Sequence, residues 1–156
     1  MTVLIVRHAA VRLGIELASV QEVLRMVAPR TLPGAAPRAI GMLDLRGETF
    51  PMLDLETRLP AGAAPPGVEH ALVVLRTPRT SVALVVTAID EIGELAPGSF
   101  RASAALLPRG VPVAGIAHTE AGDRLPILDA DALLDGDGEA MALSEAMRRL
   151  EGAPAP

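Results

Sequence analysis

Carboxylates and arginines are the side chains from which this sequence could build a polar site. Acidic residues crowd the stretch Asp129, Asp131, Asp135, Asp137 and Glu139. A calcium loop counted from Asp135 would need Gly at its sixth position and Glu at its twelfth, but Ala140 and Ala146 stand there. The run therefore reads as helix caps and solvated loop. His8, His70 and His118 have no short ligand spacing and fall at strand ends, which suits surface histidines better than a metal site. No Gly-x-Ser-x-Gly elbow exists, and Ser99 in Pro-Gly-Ser-Phe reads as a turn former. Asp44 and Asp54 could be posed as acid and base. Asp54 recurs as Asp129 in a later repeat, however, so a repeated helix cap explains it more simply. No catalytic, cofactor or metal site is expected.

Composition narrows the chemistry further. The chain has 156 residues and formal net charge −5; all 14 of its basic residues are Arg, and Phe50 and Phe100 are its only aromatics. Without Cys there is no disulfide scaffold, thiol nucleophile or thiolate metal site, and without Lys no Schiff base or P-loop. An acidic chain with so few rings has neither the basic face nor the stacking platform that nucleic acid requires. Half of the residues are hydrophobic, enough for a core built from Val, Leu, Ile, Ala and Met. Apolar runs such as Val82 to Val86 are far shorter than the ~20 residues of a membrane span. No signal peptide is apparent, so a soluble, cytoplasmic protein is expected.

One polar group resists a purely structural explanation: Asp44-Leu-Arg-Gly47, taken with Glu22. Arg46 stands beside a turn glycine, with Asp44 two residues back on the same strand face. The elements around it are short. Val3 to Val6 and the alternating Val11 to Leu17 are strands joined through His8-Ala-Ala10. Val20 to Met26 fits a short strand or a helical turn equally well. Pro29, Pro33, Gly34 and Pro37 make a loop. Ile40 to Leu45 and Thr49 to Leu53 are strands flanking an Arg46-Gly47 hairpin, with Pro51 pointing to an edge or a bulge. Asp54 to Leu59 reads as an N-capped helical turn, and Pro60 to Gly67 as a boundary. Near the end, Glu139 to Leu150 has helical spacing, before a tail, Gly152 to Pro156, expected to be disordered.

The second half repeats the first. Leu13 to Val23 aligns without a gap on Val82 to Ile92, an offset of 69, and Glu22 falls on Glu91. Gly41 then matches Gly115 at an offset of 74, and Pro51, Asp54 and Leu59 match Pro126, Asp129 and Leu134 at 75. Matched punctuation of this kind indicates two copies of one β unit, each of about five strands and suited to a small closed barrel. Arg46 breaks the symmetry, because its counterpart region, Ala117 to Glu120, has no Arg. Such a residue is either a private salt bridge or a binding group.

These motifs resemble one family over nearly the whole chain. Val20-Gln-Glu-Val23, Gly41-Met-Leu-Asp-Leu-Arg-Gly47, Pro51-Met-Leu-Asp-Leu55, Ala114-Gly-Ile-Ala117 and Leu128 to Leu134 are similar to the CheW-like chemotaxis coupling proteins. The resemblance implies a mostly β fold: a single CheW-like domain, 1–156, of two SH3-like five-stranded barrels plus a C-terminal helix. The first subdomain would span about 11–67 with a C-terminal contribution, the second about 68–136 and the helix about 139–150. It also implies a non-enzymatic adaptor without cofactors. Its expected partners are the cytoplasmic tip of a chemoreceptor and the CheW-like regulatory domain of the histidine kinase CheA, so that it joins membrane receptor arrays only through them. Val20, Glu22 and Arg46 carry over as residues of a receptor-facing groove between the barrels. Asp44 stands where the family usually has Asn and would set a second carboxylate beside Arg46. The alternative implied function is a CheW-like regulator of a non-flagellar pathway such as twitching motility or cyclic-dinucleotide signalling.

Overall fold

A computed structural model describes residues 1–8, 11–30, 39–54, 69–79, 81–102 and 113–131. Among the described residues ten strands carry the fold: β1 Thr2–His8, β2 Val11–Glu16, β3 Val20–Arg25, β4 Ala39–Leu45, β5 Glu48–Asp54, β6 Ala71–Arg76, β7 Ser81–Val86, β8 Ala88–Glu94, β9 Val113–His118 and β10 Arg124–Leu128. They form two five-stranded sheets, ordered β8-β1-β2-β10-β9 and β3-β6-β7-β5-β4. The expected helix at 139–150, the helical turn after Asp54, the boundary at 60–67 and the tail all lie outside the described residues. Within them, the ambiguity at Val20 has a physical origin. A 3-10 turn, Leu17–Ser19, runs straight into β3, so both periodicities are present in adjacent residues.

Ten strands make two repeats of five, yet neither sheet is one repeat. The first sheet takes β1 and β2 from the first repeat and β8, β9 and β10 from the second; the other takes β6 and β7 with β3, β4 and β5. Each sheet therefore combines strands from both halves of the sequence. The exchange is reciprocal. In each sheet a parallel pairing joins the two contributions, Ile127 opposite Gly14 in one and Met52 opposite Ala83 in the other. These pairs are related by the same offsets of 75 and 69 as the sequence repeat.

The swap dictates the packing. Leu4, Val6, Leu13 and Ile15 of one sheet and Val73, Leu75, Val82 and Leu84 of the other meet in a shared core between the barrels. The intervening residues turn the opposite way. Val3 and Ile5 join Leu125 and Ile127 inside the first barrel, while Leu72, Val74, Ala83 and Val85 join Phe50 and Met52 inside the second. Strands buried on both faces carry continuous apolar runs rather than alternation, which explains Val3 to Val6 and Val82 to Val86. Pro51 is on an interior strand, not an edge, one residue ahead of Met52, where pairing with β7 begins. Pro126 stands likewise ahead of Ile127.

Each sheet closes through isolated bridges. The chain leaving β3 turns back at Arg30 to pair with Met42 on β4, and the chain leaving β8 pairs Leu95 with Thr119 and Arg101 with Ile116. This closure explains the repeated glycines. A Cβ on Gly41 would lie 2.5 Å from the Arg30 carbonyl oxygen, and one on Gly115 would lie 2.3 Å from that of Arg101. Ala at either position should cost roughly 2–4 kcal/mol in urea denaturation from overpacking against backbone. Gly47→Ala meets only open space at φ 82 and should cost about 1–2 kcal/mol. Equal losses at all three would show that the crossings are not tight.

Candidate functional site

β3 and β4 are the two edges of the second sheet, and the Glu22–Arg46 pair spans the opening between them. Leu45 pairs with Glu48, so β4 and β5 are joined by a two-residue turn, Arg46-Gly47, with φ of 49 and 82. Positive φ at both positions is the type I′ hairpin geometry, in which Asn-Gly is the favoured sequence. Arg46 is the sole non-glycine residue with positive φ among the described residues. A side chain held in this disfavoured region marks a position selected for something other than backbone ease.

From that turn the guanidinium reaches back to β3. Arg46 Nη1 donates to Glu22 Oε1 and Nη2 donates to Oε2 at 3.3 Å, a fork-to-fork pair. The Arg46 side chain is 71% exposed and that of Glu22 only 21%, so the carboxylate is recessed while the guanidinium faces outward. The hydrogen bond from Arg46 holds the Glu22 carboxyl below its ordinary range; partial burial opposes it. Val20, half-buried at the start of β3, packs against the shared core between the barrels. Val20, Glu22 and Arg46 are thus gathered at one barrel edge. Val23, on the same strand, is a large apolar side chain left 42% exposed.

Asp44 departs from expectation. Its carboxylate is held by Arg30, with Nε to Oδ2 at 2.8 Å and Nη2 to Oδ1 at 3.1 Å, and by the Thr49 hydroxyl at 3.2 Å. The Arg30 hydrogen bond lowers its pKa. It is therefore engaged away from Arg46, which forks to Glu22 alone. The physical reason is barrel closure: Arg30 bridges backbone to backbone with Met42, which brings its side chain onto Asp44 two residues along the same strand. Local sequence spacing could not reveal this partner, because Arg30 and Asp44 are 14 positions apart in the chain. His70 is also buried rather than at the surface, with Nδ1 3.8 Å from Glu69.

A second arginine missed by sequence reasoning lies behind the pair. Arg76, at the end of β6, donates from Nε to Gln21 Oε1 at 2.8 Å and from Nη2 to Glu48, and its guanidinium lies 5.7 Å from the centre of the Phe50 ring. Glu48 begins β5, immediately after the turn. The hairpin is thus tied to the rest of the barrel from both sides of its turn. A signal did exist in the sequence: Arg7 and Arg76 stand at the same offset of 69 as the rest of the repeat.

The chain matches a family model described as "CheW-like domain" over residues 2–137. Two curated relatives, "Probable chemotaxis protein CheW" of Rhizobium etli and "Chemotaxis protein CheW" of Rhizobium meliloti, are each 30% identical over 78 residues, or 50% of this chain and 50% of the relative. The chain therefore spans about half the length of the curated relatives it matches. The crystal structure of "scaffolding protein TtCheW" from Thermoanaerobacter tengcongensis shares the fold, with a TM-score of 0.78 at 21% identity, covering 88% of this chain and 94% of that one. Among the described residues, no helix is long and apolar enough to cross a membrane.

Two measurements check the site. Arg46→Asn should be more stable to urea than Arg46→Ala, because Asn tolerates the positive φ that Ala resists, while both should move the Glu22 titration upward. The pH dependence follows from the lowered Glu22 pKa. Its stabilisation is present above the ordinary carboxylate range and is lost as pH falls through the folded-state value. The stability gap between wild type and Glu22→Gln should accordingly be present at pH 7 and vanish in acid. A gap that persists at low pH would show that the pair is not the source.

Proposed function

The chain belongs to the CheW-like domain family, and from that premise we propose that it is a non-enzymatic cytoplasmic coupling scaffold. In this reading it joins the tip of a chemoreceptor to the CheW-like regulatory domain of the histidine kinase CheA. The observation that carries the reading is the Arg46–Glu22 fork across the open edge of the second barrel. A receptor tip is helical, and a helix docks by laying an apolar stripe on a surface that also fixes its register through polar contacts. Val20 and exposed Val23 offer apolar contact on one strand. Arg46 keeps N–H donors beyond those in the fork for carboxylate or carbonyl oxygens of a partner. Asp44 contributes indirectly: with Arg30 it secures β4 beneath the turn.

Several features support an adaptor over an enzyme. Glu22, Arg46, Glu48 and Arg76 are paired with one another, and the described interiors of both barrels are lined by Val, Leu, Ile, Ala, Met and Phe. Apolar barrel interiors leave the surface to carry the chemistry, and surfaces are what a scaffold uses.

Binding should separate the two partners. On immobilised receptor tip and, separately, on the kinase regulatory domain, the wild type should bind both. Arg46→Ala and Glu22→Ala should weaken binding to the tip about tenfold, equivalent to the loss of one interface anchor, and leave kinase binding intact. Circular dichroism checks that the variants fold. Kinase binding with no affinity of the wild type for any receptor tip would contradict the linking role and favour a regulator that titrates the kinase.

A further inference from the structure

The Glu22–Arg46 fork joins two edges that backbone pairing keeps apart. In the sheet order β3-β6-β7-β5-β4, Glu22 stands on one terminal strand, and the Arg46 turn joins β4 to β5 at the other end. The fork can form only while those edges hold one spacing. A single side chain outside the fork reaches both. Arg76, the last residue of β6, donates from Nε to Gln21 Oε1 at 2.8 Å and from Nη2 to Glu48. Gln21 directly precedes Glu22, and Glu48 follows Arg46 by two residues, where the turn delivers the chain into β5.

Both ends of this clamp sit where the backbone alone is least constrained. In β3 the register steps from Val20 opposite Leu75 to Glu22 opposite Val74, so Gln21 is an extra residue outside the ladder. At the other end, Glu48 leaves a turn whose first residue, Arg46, has a φ of 49. The guanidinium between them is itself held, 5.7 Å from the centre of the buried Phe50 ring. Its planar fork serves two acceptors at fixed angles, which a flexible ammonium does not. Arg76 and Glu48 are both exposed, and exposed ion pairs add little to folding stability. The consequence of the clamp is therefore geometric.

The other barrel carries a twin of this arrangement. The register of β8 steps from Glu91 opposite Ile5 to Ile89 opposite Val6, leaving Asp90 outside the ladder, and Arg7 Nη2 donates to Asp90 at 2.6 Å. Arg7 with Arg76, and Gln21 with Asp90, are related by the repeat offset of 69, and Glu48 with Asp123 by 75. Arg12 there reaches Asp90 at 3.4 Å and Asp123 at 3.7 Å. In both barrels, then, arginines link the bulge residue to the acid that follows the turn. The use made of the next residue differs. Arg12 also takes up Glu91, at 3.5 Å, whereas Glu22 forks to the turn residue Arg46.

We propose that Arg76 is a positioning residue of the partner-facing edge, clamping the β3 bulge to the exit of the hairpin turn and so fixing the spacing at which Glu22 and Arg46 are presented. This inference rests on the reading that Glu22 and Arg46 face a partner.

The test uses the whole chain with Arg76→Met, which keeps an apolar stem over Phe50 and removes both hydrogen bonds, with Glu48→Met, and with the double variant. The readouts are the Glu22 carboxyl titration by NMR and affinity for the purified cytoplasmic tip of a chemoreceptor, with circular dichroism to check the fold. Glu48→Met separates positioning from charge. Removing a negative charge would by electrostatics alone lower the Glu22 titration, whereas release of the clamp loosens the fork and should raise it. Each single variant should weaken tip binding about three- to tenfold, the loss expected for one hydrogen bond. The double variant should lose no more than Arg76→Met alone, because the two side chains act as one link. A Glu22 titration that falls or stays in place in Glu48→Met, or losses that add in the double variant, overturns the clamp. An equal loss of tip affinity in Arg79→Met, which removes a positive charge from the same β6–β7 hairpin, shows that charge and not position is read, and overturns the positioning role. If Arg46→Ala leaves tip affinity unchanged, the partner-facing reading fails instead, and the Glu22 titration still decides the clamp.

Discussion

Four strands, β1, β5, β6 and β7, place side chains in two cores at once, and the packing of this protein follows from satisfying both faces. One face of each fills its own barrel and the other fills the space between the barrels. Each fully buried Leu, Ile or Val contributes roughly 1.5–3 kcal/mol of apolar transfer, so the shared core is a main source of stability and not a contact between finished domains. Exchange of strands between repeats provides this arrangement. Each barrel takes two strands from one repeat and three from the other, so neither repeat can complete a barrel alone.

The edge that carries Glu22 and Arg46 is a consequence of that exchange. The chain must cross between sheets after β2, and the 3-10 turn Leu17–Ser19 makes the crossing, so that Val20 emerges against the shared core and Glu22 soon after it. Meanwhile the hairpin that carries Arg46 belongs to the opposite edge of the same sheet. Side chains complete what the backbone leaves open: Arg30 to Asp44 lower on β4, Arg46 to Glu22 at the turn, and Arg76 to Glu48 beyond it. Three arginines thus fasten one hairpin, and only that of Arg46 lies in the turn.

Much of this was legible in the sequence, for reasons that can be traced. Gly41 and Gly115 matched because the same backbone crossing forbids a Cβ at both. Glu22 and Glu91 matched because both follow a bulge residue, and the Leu-Arg-Gly turn announced itself through the glycine at its second position. The strand exchange was not legible, since an offset shows that two units are alike but not which strands they trade. Arg30 and Arg76 were missed for a related reason: topology brings their partners to them from across the barrel. Asp44 was read from its neighbours in sequence, and a residue 14 positions away decided its pairing instead.

The central proposal is that the partner-facing surface lies at the β3 edge and the Arg46 turn. Chemical-shift mapping of the isotopically labelled chain during titration with a purified receptor tip tests it most directly. The account predicts that the largest perturbations fall on Val20, Glu22, Val23, Arg46 and Gly47, with Asp90, Glu91 and Asp123 on the twin site little affected. Perturbations centred on that twin site, with the Arg46 turn silent, would contradict it.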